Sequence, residues 1–517
     1  MSRRTAVVVR VLVIVPAMLA GAASGASART VLTPVALVGE AAAGATGAEY
    51  DRLLEPVINA TGDVAFRADL GNAGLGTLAV VGPSAGVNSP VGVLARRLEP
   101  VPGATGDVTY GIFSKPALSD AGDVAFESST FGGRRVLVGP TDGPGSPLGV
   151  IAQAGGPVSG STADGTFDPN LAIGAPSINA AADVAFIASI NLPDPASPAA
   201  VTAIVGPTAG AGSPRGLLWT SGQPAPGAAA GATFADFSQL GLVNVPDLNN
   251  EGDIAFLAQV QPADPTQDDY STVFGPTQDD YWAVFGPTAG AGSPVGQLVS
   301  GIDSFPLAGG TLSDLSFRGP SLNDAGHVAF LGTGPFRRPD GSSEEATAVF
   351  APTGDGYGGL GVIAMTGDPI PGSPEGLRLR NLLPPHLNNH GDLVFLASLR
   401  DADNDPIDAD RDTALMGYVD GELQILLREG DTAGIVTPDG QLDAKVVDEF
   451  FVDRPQVFSQ RFDAPAQISD IGTVAVSLIF ADGAGGVFTL PATPIPEPAT
   501  GVVLLFTAAV FVTRRRP

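Results

Sequence analysis

The chain contains no cysteine, so no disulfide holds it together and thiol chemistry is excluded. Lysine occurs only at Lys115 and Lys445, histidine only three times, and tryptophan only at Trp219 and Trp282. The shortage of tryptophan leaves few flat aromatic platforms of the kind that sugars stack on. No phosphate-cradling Gly-x-x-x-x-Gly-Lys-Ser/Thr loop is present. Positive charge is scarce throughout. Twenty-six Lys and Arg stand against 54 Asp and Glu, a net charge of −28. A charge this negative argues against nucleic acid and anionic lipid surfaces as partners, and makes binding of divalent cations conceivable. Long apolar runs are confined to the two ends.

The N-terminal run Val11 to Ala20 follows Arg3, Arg4 and Arg10 and precedes Ala26-Ser27-Ala28. A basic start, a short apolar stretch and a small-x-small site make residues 1–28 a secretory signal peptide. The C-terminal region, 492–517, has a different order. Pro496-Glu497-Pro498 leads into the apolar segment 499–512 and then Arg514, Arg515 and Arg516. Fourteen helical residues rise about 21 Å, short of a bilayer core of roughly 30 Å. The arginines belong on the cytoplasmic side.

This tail resembles the PEP-CTERM sorting signal of Gram-negative bacteria that make extracellular polysaccharide. The resemblance implies a short transmembrane helix held in the inner membrane, processing by an exosortase, and delivery to the cell surface or extracellular matrix. An uncut membrane anchor is the alternative. Removal of both ends takes Arg3, Arg4, Arg10 and Arg514 to Arg516 with it, leaving a still more acidic body.

Between the ends, the sequence repeats. Ile58-Asn59-Ala60-Thr61-Gly62-Asp63-Val64-Ala65-Phe66 recurs from Leu118 to Phe126, Ile178 to Phe186, Leu248 to Phe256, Leu322 to Phe330 and Leu387 to Phe395. A weaker seventh copy runs from Ile468 to Val476. Asn or Ser opens a turn by accepting a backbone hydrogen bond, and Gly closes it where positive φ is needed. The third copy carries Ala182 in place of that glycine, which makes it the least comfortable turn. Val-Ala-Phe then alternates as a strand, with Val and Phe on one face.

A second strand ends in Gly-Pro or Ala-Pro, as at Leu78 to Pro83 and Val136 to Pro140. A third follows, as at Val91 to Ala95, and a short fourth leads into the next turn. Four strands per unit, seven times over, predict an all-β fold, a seven-bladed β-propeller over residues 29–491. An open solenoid is the competing architecture. The segment Pro34 to Glu40 matches a third-strand position that the last copy lacks, so an N-terminal strand would close the ring and remove its edges. An eleven-residue duplication, 266–276 followed by 277–287, predicts an extra hairpin inside one unit. The repeat resembles repeat regions of uncharacterised bacterial surface proteins bearing the same tail, which implies no known activity.

The densest acidic segment offers Asp401, Asp403, Asp405, Asp408, Asp410 and Asp412. Alternating aspartates can aim several hard oxygens at one calcium ion. Pro406 stands where an EF-hand needs glycine, however, and position twelve is Asp412 rather than glutamate. The other reading is a solvated hairpin loop between strands at Leu393 to Leu399 and Thr413 to Val419. Calcium is the one cofactor the sequence suggests. The repeated Asp63, Asp123, Asp183, Asp253 and Asp392 read as turn and strand-edge acceptors, because a scaffold repeats a residue at one structural position. His327 replaces this aspartate in the fifth copy. His386 and His390 flank the sixth turn without further evident metal ligands.

These features together predict an exported, non-enzymatic scaffold or binding module associated with exopolysaccharide. The alternative is a secreted propeller enzyme acting on glycans through paired acids. Acids unique to single units and gathered at one central pocket would favour the enzyme. Acids present only at repeat-equivalent positions would favour the scaffold.

Overall fold

The computed structural model describes residues 30–492 except 72–76, 159–164, 170–173, 193–199, 236, 238–244, 264–279, 354–358, 372, 374–375, 402, 404, 406, 408–411 and 451–465. The signal peptide, the sorting tail with its apolar segment, and most of the duplicated hairpin lie outside the described residues. The described chain is all-β, with 36 strands and no α-helix. No helix among these residues is long and apolar enough to cross a membrane.

Six sheets are each assembled from consecutive strands around one copy of the repeat. In the second, the signature strand Val124–Thr130 pairs on one side with Arg135–Pro140, which pairs with Leu148–Gln153. Its other side takes Tyr110–Phe113 and the short Ala117–Leu118. The sheet around the last copy is composite. Its second strand, Gly485–Pro491, pairs antiparallel with the N-terminal strand Val31–Leu37, with Thr33 opposite Thr489. Val31–Leu37 then pairs in parallel with Thr432–Val436, and Leu442–Phe450 returns to the signature strand, with Val447 opposite Phe480.

The alternating pattern fixes how the sheets pack. The signature phenylalanines Phe66, Phe126, Phe186, Phe256, Phe330 and Phe395 are all 0% exposed. Each lies opposite an apolar residue of the next strand, as in Phe66 with Val81 and Phe395 with Met416. In two sheets the partner is also phenylalanine, and Phe256 stacks on Phe285 with centroids 5.2 Å apart. The last copy exchanges the roles, placing Val476 opposite Phe488.

Apolar clusters bridge adjacent sheets. Val57, Ala65 and Val80 of the first sheet pack with Val124 and Phe126 of the second. The composite sheet packs on both its neighbours: Ala475 and Val487 lie with Phe66, while Phe480 and Phe488 lie with Val394 and Leu415 of the sixth sheet. Face-to-face sheets following one another about a common axis make a propeller-like arrangement.

The signature turns meet around that axis. Asn59 Oδ1 accepts from the backbone N–H of Asp63 at 2.8 Å, closing its own turn, and its Nδ2 donates to the carbonyl of Ser119 in the next sheet at 3.0 Å. Asn179, Asn249, Asn323 and Asn388 make the same forward link. Ser119 and Ser469 hold only their own turns. The following position adds a reverse link: the Oδ1 atoms of Asp120, Asn250, Asp324, Asn389 and Asp470 each accept from a backbone N–H of the preceding sheet, at 2.6–2.8 Å. Asn250 Nδ2 also reaches Asp120 Oδ2, two sheets away, at 2.6 Å.

Candidate functional site: the axial cavity

Just upstream of each signature turn the chain reads Pro-x-Ile or Pro-x-Leu, as in Pro176-Ser177-Ile178 and Pro246-Asp247-Leu248. The seventh copy has one extra residue, Pro465-Ala466-Gln467-Ile468. Proline fixes φ, and the apolar residue anchors in the core between sheets. The intervening residue therefore faces the axis. These residues line a cavity of about 190 Å³ to which all seven copies contribute. Val57 and Ala117 supply apolar wall. Ser177, Asp247, Ser321, His386 and Gln467 supply polar groups, and Lys115 reaches the same cavity.

Unlike the turn residues, these groups differ from copy to copy, yet four of them share one structural task. Each accepts the backbone N–H of the first signature residue in the next sheet. Asp247 Oδ2 accepts from Leu322 at 2.7 Å, and Ser321 Oγ from Leu387 at 3.0 Å. His386 Nδ1 accepts from Ile468 at 3.3 Å, and Gln467 Oε1 from Ile58 at 3.1 Å. The last bond joins the composite sheet to the first. Asp247 Oδ1 takes a further backbone N–H, from Leu248, at 3.1 Å.

Electrostatics at the site follow from enclosure. Burial lifts the Asp247 carboxyl to about 6, against the lowering influence of the Leu322 and Leu248 N–H groups and Lys115. By accessible surface Asp247 and His386 are only half-buried, because the cavity itself admits solvent. Their polar atoms nevertheless sit deep among the sheets, and desolvation dominates. His386 is held down to about 3, by burial first and then by the Lys115 charge, so its imidazole is neutral at ordinary pH. Since Nδ1 accepts a hydrogen bond, the proton resides on Nε2.

The repeated aspartates do what the sequence suggested. Asp63 accepts from Asn88 N–H, Asp123 from Gly145, Asp183 from Gly212, Asp253 from Gly292 and Asp392 from Asp420, at 2.6–3.2 Å. Each thereby ties its turn to the distal hairpin of its own sheet. His327 occupies this position in the fifth copy, where burial lowers its pKa. His386 and His390 do not converge: His386 belongs to the cavity, while His390 N–H caps Asn388 Oδ1.

In the acidic loop, Asp401 Oδ1 accepts from Asp403 and Asp405 N–H at 3.0 and 2.8 Å, so that carboxylate closes its own turn. Asp412 Oδ1 accepts from the Thr413 hydroxyl. Asp408 and Asp410 lie outside the described residues, as do Pro496, Glu497, Pro498 and Arg514 to Arg516. Among the described residues no three His, Cys, Asp or Glu side chains gather as a metal site.

Sequence reading missed the cavity residues other than His386. The usable signal was the single variable position between a proline and an aliphatic residue that recur in every copy.

A family model described as a family of unknown function, DUF7453, matches residues 26–210 and 201–502. The chain belongs to this family. No curated protein matches it. Among solved structures it is similar to one titled "Crystal structure of polysaccharide lyase Uly1", at 9% identity and a TM-score of 0.37, covering 90% of this chain and 98% of that one.

Proposed function

We propose that this protein is an exported, non-enzymatic scaffold or binding module associated with extracellular polysaccharide. In this reading its six regular sheets and the composite sheet form a closed wheel of seven blades. The signal peptide directs export. The tail from Pro496 onward is held in the inner membrane, removed by an exosortase, and leaves the wheel at the cell surface or in the matrix.

One observation carries the non-enzymatic part: the acids of the repeat are used by the fold. The five aspartates of the signature hold distal hairpins. Asp120, Asp324 and Asp470 hold adjacent turns together. Both carboxylate oxygens of Asp247 accept backbone N–H groups. Among the described residues Asp247 is the one carboxylate lining the cavity, whereas a glycosidase needs two.

Two experiments test this reading. Fractionation of cells expressing the full chain, or a chain ending at Ile495, should place only the former at the surface. Retention of the purified protein on the producing organism's polysaccharide, with viscosity recorded, should show binding without depolymerisation.

The second reading, a glycan-acting enzyme, is favoured by Asp247. It is a blade-specific acid with a pKa raised to about 6, and it shares a cavity with Lys115 and His386. A fall in viscosity that Asp247→Asn abolishes would establish the enzyme and refute the scaffold.

A further inference from the structure

We infer that the axial cavity is a binding site for one small oxyanion, a carboxylate or phosphate group, held by an arc of hydrogen-bond donors. The donors and the cation on its wall point to this. Around the cavity, Asp247, Ser321, His386 and Gln467 each accept a backbone N–H group. His386 Nδ1 has no lone pair left, and the Ser321, His386 and Gln467 side chains all keep their donors. Ser321 keeps its O–H, His386 its Nε2–H, and Gln467 its amide N–H₂.

A second observation bears on the same wall. Ser177 is one of the residues around the cavity and is 8% exposed, and its Oγ, turned out of contact with solvent, has no hydrogen-bond partner within the protein. A buried hydroxyl without a partner costs on the order of 1–3 kcal/mol, a cost that rotation of the hydroxyl toward a bound oxyanion would relieve. Lys115, one of only two lysines in the sequence, brings a cation to the same wall. Several donors and one cation gathered on one wall suit a ligand that accepts. Its volume of about 190 Å³ suits a small molecule, not a polysaccharide segment. The charge of Asp247 is offset locally by its two backbone donors and by Lys115. This inference goes beyond the scaffold reading and stands or falls separately from it.

The test uses the full mature chain at constant ionic strength, balanced with sodium chloride. Sodium acetate, inorganic phosphate and neutral acetamide are titrated separately. Melting temperature and the side-chain ¹H–¹⁵N spectrum of the three histidines are recorded. Acetate, phosphate or both should raise the melting temperature saturably and move the Nε2 resonance of His386, while acetamide should do neither. A response to acetate alone marks an organic acid as ligand, and a response to phosphate alone marks a phosphate. Loss of the Lys115 charge in Lys115→Met should weaken binding about tenfold or more, as expected for one charge-assisted hydrogen bond, and Lys115→Arg should restore most of it. The inference is overturned if neither anion gives a saturable response, if acetamide acts equally, or if folded Lys115→Met binds as tightly as the parent. Should that variant fail to fold, the His386 resonance in the parent decides.

Discussion

Gly252 is where the propeller-like packing makes its sharpest energetic demand. It closes the fourth signature turn with φ of 86°. A Cβ there would lie 2.3 Å from the backbone nitrogen of Ala211 and 2.5 Å from the carbonyl carbon of Gly210, both in the distal hairpin of the preceding sheet. The same hairpin donates Ala211 N–H to Glu251 O at 3.0 Å. Gly252→Ala therefore combines three costs. The left-handed conformation costs about 1–2 kcal/mol for a residue with a Cβ. Backbone atoms cannot rotate away, so overpacking adds about 1–3 kcal/mol. The Ala211–Glu251 bond, which the shift would strain, is worth about 1 kcal/mol.

The whole should come to about 4 kcal/mol, a large part of the stability of an ordinary domain. Ala182 is the internal control, because the third copy already bears alanine at φ 63°. Ala182→Gly should stabilise by about 0.5–1 kcal/mol, the relief of strain being partly offset by the freer unfolded chain. Urea unfolding of the mature protein, followed by tryptophan fluorescence, reads both. If Gly252→Ala falls within about 0.5 kcal/mol of the parent, or Ala182→Gly destabilises, the inter-sheet contact is wrong.

Two further outcomes follow from the site. The folded Asp247 pKa of about 6 lies above the unfolded value near 3.8, so the folded state holds this proton more tightly. Its contribution to stability is full below about pH 4 and is lost as pH rises to about 6, whereas His386, held down to about 3, acts in the opposite sense, costing stability as pH falls below 6.5. Asp247→Asn should therefore remove a decline of about 2–3 kcal/mol between about pH 4 and 6 relative to the parent, and superimposable pH profiles would refute the assignment. Because Asp401 already caps its own turn, millimolar calcium should leave the melting temperature unchanged; a rise would make the segment Asp401 to Asp412 a ligand set.

Much of the architecture was legible because a repeat displays its constraints several times. Asn59, Gly62 and Phe66 each recur with a distinct physical duty, and the structure assigns those duties as turn acceptor, positive-φ residue and buried sheet contact. The N-terminal strand was legible for the same reason, as a unit lacking a strand and a strand lacking a unit. The candidate site was hidden by the same regularity. Lys115, Ser177, Asp247 and Gln467 stand where the copies disagree, and disagreement resembles noise until the fold brings those positions to one cavity. His386 drew notice for its imidazole and for the nearby His390, as a metal pair that lacked further ligands. Its actual partner, the backbone of Ile468, is 82 residues away, and no local pattern connects them. The parallel pairing of Val31 with Gly434 was equally invisible, since it joins the N-terminal strand to a hairpin that lacks the signature.

Covalent capture of the two chain ends tests the closed wheel most directly. Thr33 and Thr489 are opposite one another on antiparallel strands, a spacing within the usual Cα separation of about 4.4–6.8 Å for a disulfide. The chain has no native cysteine to compete. Thr33→Cys combined with Thr489→Cys should oxidise to a monomeric, internally bridged species that runs faster on a non-reducing gel and melts at a higher temperature than its reduced form. An open arrangement would leave both thiols reactive or yield only intermolecular dimers, and either result would contradict closure.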